Sequence, residues 1–178
     1  GPVGTAFNQN VALFQMESQI GHGICPVYLR MQATAATAAV SYHGAIVIDV
    51  GSRYTSGGTV IGTSNRHGAH DSGALTGLPF AFGAIVTTNA TGAARPMSRF
   101  IWRTGAGAIG DELFLSFGDG TRTAANTGVA TGVVGNHIIH VAPIVLPPTA
   151  NWSIVIHAWT PTGPGTGTFD VEFCYYKK

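Results

Sequence analysis

Charge is scarce in this chain. Only 10% of its 178 residues are Asp, Glu, Lys or Arg, against about 25% in an ordinary globular domain. Lysine occurs only as Lys177 and Lys178, and the formal net charge is +1, so there is no basic footprint for nucleic acid. Long apolar runs are missing as well. No segment reaches the roughly 18–20 apolar residues that a membrane-crossing helix needs, and the first residues do not follow the basic, apolar, small-residue order of a signal peptide. Neither nucleic acid nor a membrane is an expected partner. Cysteine is limited to Cys25 and Cys174. Two cysteines do not make a disulfide framework, and buried thiols and a single bridge both stay open.

Catalytic patterns are equally thin. There is no Gly-x-Ser-x-Gly elbow and no cysteine beside a base. The Gly-rich run at 162–168 lacks the lysine and following helix of a phosphate-binding loop, and reads as a hairpin tip. Asp111 and Glu112 are adjacent, so on a strand they diverge, and Gly110-Asp111 reads as a turn entering that strand. His67, His70 and Asp71 form the best metal candidate, but they need a third fixed ligand from elsewhere. His137 and His140 repeat the spacing on a strand, where they face opposite ways. The chain is therefore expected to be no enzyme, with no metal and no cofactor.

What is abundant is strand signal. Hydrophobic residues make up 45% of the chain, enough for a real core in one domain. They cluster in short β-branched and aromatic runs between Gly, Pro, Asn and Asp. The runs are 24–31, 44–50, 80–88, 97–104, 112–117, 137–146, 152–159 and 168–176, with 11–16 as a ninth. Several alternate as half-buried strands do. Phe169, Val171, Phe173 and Tyr175 share one face, with Asp170 and Glu172 opposite. Trp152, Ile154 and Ile156 form one row, and Val155, His157 and Trp159 the other. Ser98, Phe100 and Trp102 oppose Arg99, Ile101 and Arg103. Asp170 and Glu172 are candidates to pair with Arg99 and Arg103. Pro161, Gly163, Pro164, Gly165 and Gly167 predict an antiparallel hairpin joining 152–159 to 168–176.

Residues 33–39 read as a small-residue loop or narrow strand, and 52–77 and 119–135 as long excursions. Residues 1–19 read as an N-terminal arm or first strand, and 20–178 as one domain. Eight to nine antiparallel strands predict an all-β fold, a jelly-roll β-sandwich. An immunoglobulin-like sandwich is the competitor, weakened because Cys25 and Cys174 lie at opposite ends of the sequence.

Residues 143–148 (Pro-Ile-Val-Leu-Pro-Pro), the run 152–159 with His157-Ala158-Trp159, and Phe169 to Tyr176 before Lys177 and Lys178 together carry a resemblance. They look like the last strand pair of tailed-phage virion proteins with a jelly-roll, tumour-necrosis-factor-like fold. Residues 99–117, with Gly110-Asp111-Glu112 entering a strand, are similar to the middle region of those proteins. The resemblance covers about a quarter of the chain. It implies a bacteriophage head decoration or cement protein on the capsid surface, assembled in the host cytoplasm. It further implies a homotrimer bound to the major capsid protein, or alternatively a fibre head that reads a host-surface glycan.

Scarce charge fits a chain that hides surface in an assembly. Val3, Phe7, Val11, Leu13, Phe14, Arg99, Arg103 and Trp159 are the expected capsid or subunit contacts. The arm is the expected anchor, and removal of residues 1–10 is expected to leave the melting temperature nearly unchanged while abolishing attachment to capsids.

Overall fold

A computed structural model of the chain describes residues 4–36, 41–60, 81–87, 93–103, 107–118, 136–163, 165 and 167–177. Ten strands form among them: β1 (Val11–Glu17), β2 (Ile24–Ala33), β3 (Tyr42–Val50), β4 (Tyr54–Val60), β5 (Ala81–Thr87), β6 (Arg95–Arg103), β7 (Glu112–Phe117), β8 (Asn136–Val141), β9 (Trp152–Trp159) and β10 (Phe169–Lys177). No helix occurs among the described residues. The strands build a six-stranded sheet, ordered β4-β5-β1-β9-β3-β6, and a four-stranded sheet, ordered β10-β2-β7-β8. The protein is an all-β, two-sheet sandwich.

Alternation explains how the sheets face each other. Phe14 and Met16 of β1, Ile46 of β3, and Ile154 and Ile156 of β9 point inward from the wide sheet. They meet Leu29 and Met31 of β2, Leu113 and Leu115 of β7, and Val141 of β8. The Phe14 and Phe173 rings, 5.2 Å apart, join the two layers directly. Phe169, Val171, Phe173 and Tyr175 pack on this core, on the face their alternation predicts. β2 keeps both of its ends inward by a bulge, since Cys174 lies opposite Tyr28 but Tyr175 opposite Pro26. Gly44 is one glycine whose missing side chain is used. It lies opposite Phe100, and a Cβ there would run into the Phe100 ring.

Five expectations need correction. β4 lies inside the region read as a loop, because its Tyr-Thr-Ser-Gly-Gly-Thr-Val sequence lacks an apolar alternation to announce it. The strands number ten, and they are not all antiparallel, since β7 and β8 run parallel in register from Glu112↔Asn136 to Phe117↔Val141. β9 and β10 do not form a hairpin. β9 lies between β1 and β3, whereas β10 pairs with β2 in the other sheet. Accordingly Asp170 and Glu172 are not the partners of Arg99, which lies on β6 of the opposite sheet. Glu172 faces Arg30. The hairpin expectation rested on local turn chemistry, whereas the strand order puts β9 and β10 in different sheets.

Candidate functional site

β9 lies at the middle of the wide sheet and is buried on both faces. Trp152, Ile154 and Ile156 face the core, leaving Ser153, Val155, His157 and Trp159 on the outer face. Ser153 pairs laterally with Glu17 on β1 and Asp49 on β3, and all three are buried. Carboxylates so placed need partners, and Glu17 has a full set. Its Oε1 accepts from Gln15 Nε2 (2.6 Å), the Arg53 and Tyr54 amides (2.6 and 2.8 Å) and Ser153 Oγ (3.1 Å). Its Oε2 accepts from Ser52 Oγ at 2.6 Å. The buried Arg53 brings Nε to 3.5 Å from Asp49 Oδ2. Burial pulls the Arg53 guanidinium below its usual range, and Asp49 and Glu17 oppose that shift. This group fixes the turn between β3 and β4.

Arg53 also reaches the N-terminal arm, where Nη2 donates to the Gln9 carbonyl at 2.6 Å. At the arm's start the Thr160 amide donates to the Gly4 carbonyl at 2.9 Å. Between these two ties Phe7 sits over the sheet. The lateral neighbours of Ala45 are His157 and Arg99, so a small residue lies between larger ones and leaves a socket. Phe7 lies edge-on to His157 and Trp159, with centroids at 5.1 and 5.4 Å, and Arg99 Cζ lies 5.9 Å from its ring. His43 extends the aromatic group, 5.7 Å from Trp159. Because the Val11 carbonyl can only accept, His157 Nδ1 carries the proton it donates there at 2.9 Å. Desolvation holds the His157 pKa below its ordinary value, helped by Arg53 and opposed by the Val11 and Asn8 carbonyls.

The outer face of the narrow sheet has a different character. Tyr28 and Phe114 stack at 5.1 Å. Arg30 Nε donates to Glu112 at 2.5 Å and its Nη1 lies 3.7 Å from Glu172, which also accepts from Tyr28 Oη at 2.6 Å. At one side of the sandwich, β6 and β8 border a cleft of ≈ 490 Å³ lined by Pro96, Met97, Ser98, Arg99, His140, Val141 and Ala142.

The structure brings three of the sequence-predicted contact residues together, Phe7, Arg99 and Trp159. Val11 stands exposed, and Leu13 packs partly buried against the core. Phe14 is fully buried in the core, which removes it from any contact surface. Arg103 closes β6 opposite Tyr42. Val3, and the metal candidates His67, His70 and Asp71, lie outside the described residues. Among the described residues no three His, Cys, Asp or Glu side chains gather as metal ligands. Asp111 caps a turn, accepting the Ala108 amide at 2.9 Å, while Glu112 points to Arg30. Cys25 and Cys174 are free thiols.

Sequence reasoning missed the Glu17, Asp49 and Arg53 group. Its signal was present, since Gln15 and Glu17 share one face of an otherwise apolar strand and Asp49 interrupts Ile-Val-Ile-Asp-Val. Comparison with known protein families, curated proteins and solved structures finds no match.

Proposed function

We propose that the chain is a structural protein of a phage virion surface, a head decoration protein that acts through contact surfaces. The observation that carries this reading is where its apolar side chains stand. Ile101 on β6, Ile138 on β8 and Tyr176 on β10 are all exposed. They lie on or beside the strands that end the two sheets, in a chain with little charge to keep such edges solvated. Each Å² covered by a neighbour returns about 25 cal/mol, and exposed apolar patches of this kind mark contact sites. The resemblance of residues 143–178 to tailed-phage virion proteins supplies the setting, with the major capsid protein as partner. A jelly-roll wrapping belongs to the proposal, since β1 to β2 to β3 and β6 to β7 each cross between the sheets. The outer β4–β5 hairpin and the parallel β7–β8 pair are then elaborations of it.

Purified protein added to capsids lacking it is expected to bind at a fixed stoichiometry. Ile101→Asp together with Ile138→Asp should reduce occupancy at least tenfold with an unchanged circular dichroism spectrum. Absence of binding by the unmodified protein rejects the decoration role. The aromatic group of Phe7, His43 and Trp159 favours one second reading, a fibre head that binds a host-surface glycan. Glycan-array binding lost in Trp159→Ala would replace the first reading with this one.

A further inference from the structure

We propose that the step between the unequal sheets is a lap joint for a second copy of this chain. The wide sheet has two strands more than the narrow one. Phe14 on β1 meets Phe173 on β10, and β6 and β8 share the cleft at the other side. The narrow sheet therefore covers β1, β9, β3 and β6. The β5–β4 pair runs past β10 as a shelf, with no described strand over its inner face. Ala12 packs in the outer-face cluster, so alternation turns Val11 and its cross-strand partner Val86 inward. Both are exposed, at 42% and 47%. Beside the shelf, β10 pairs with β2 on one side and with no described strand on the other.

A copy related by a twofold axis parallel to the strands sets its own shelf face to face with the first. Each β4 then lies beside the other copy's β10, and both sheets continue across the joint. β4 carries no charged residue, so it meets Asp170 and Glu172 of β10 without like-charge opposition. Two shelves of about 10 by 23 Å and four strand edges of similar length and about 10 Å height, two on each copy, cover on the order of 1,300 Å², within the range of about 1,200–2,000 Å² for specific interfaces. The contact is self-complementary, as a twofold requires, and it replaces the threefold expected from the sequence. It deepens the contact-protein reading, but it is a property of the purified chain and is tested without capsids.

Sedimentation of the full chain at micromolar concentration is expected to give a dimer. Val86→Asp, with an unchanged circular dichroism spectrum, should weaken association at least a hundredfold. The milder Val86→Thr should weaken it several-fold and serves if the aspartate variant misfolds. Ile138→Asp, at the far side of the sandwich, should leave the dimer intact. Hydrogen exchange should be slower for β4 and β10 amides in the wild type than in Val86→Asp. A monomer, a trimer, or a dimer that survives Val86→Asp overturns the joint. A dimer that ignores capsids leaves the joint standing and removes the virion role instead.

Discussion

Glu17 and His157 share the outer face of the wide sheet and respond to change in opposite ways. Glu17 accepts five hydrogen bonds through its two oxygens. Glu17→Ala strands those donors in a buried site beside Arg53 and is expected to cost about 3–5 kcal/mol, read by urea denaturation. Glu17→Gln keeps the shape but turns a donor toward donors, and should recover only part of that loss. His157 sets a pH dependence. Its folded pKa is lowered, while the unfolded chain titrates near the ordinary value of about 6.5. Between the two values the unfolded state holds more protons, so stability rises with pH across that window. The contribution is fully present above about pH 6.5 and is lost as pH falls through the folded pKa. Burial and the nearby Arg53 both oppose a charged imidazole there. The slope of denaturation midpoint between pH 7 and pH 5 should flatten in His157→Gln, and an unchanged slope would assign the acid sensitivity to another group.

Among the elements, the N-terminal arm makes contacts that its composition does not announce. Deleting residues 1–10 removes the Arg53–Gln9 and Thr160–Gly4 hydrogen bonds and the Phe7 contacts, and uncovers His157. The expected loss is about 3 kcal/mol, or roughly 6–12 °C in melting temperature, contrary to the small loss expected from composition alone. A scanning calorimetry trace matching the full chain would show that the arm is not held to the sheet in solution. Composition does not announce this hold, because Phe7 is the lone large aromatic of residues 1–10 and its socket exists only after β3, β6 and β9 align. Strands with regular alternation, such as β7, β9 and β10, were legible to within a residue or two. β4 was not, since Gly57 and Gly58 with small polar neighbours fall in a stretch read as a long excursion, and pairing with β5 overrides that local preference. Of the candidate site, single residues were legible, including Phe7, Arg99 and Trp159, but not their meeting. That meeting depends on which strands are neighbours, and no local pattern encodes it.

For the whole molecule, strand order has a consequence for how the chain is made. β1 takes its partners from β5 and β9, β2 from β7 and β10, and β3 from β6 and β9. Each of the first three strands thus waits for one of the last two. On a ribosome neither sheet can close until β9 and β10, residues 152–177, have been made and have left the exit tunnel. Contacts this distant in sequence make folding slow, and the unpaired early strands meanwhile present apolar faces and open edges to one another. Chains cut short by truncation or premature termination before residue 152 should therefore accumulate as aggregates, not as partly folded soluble pieces.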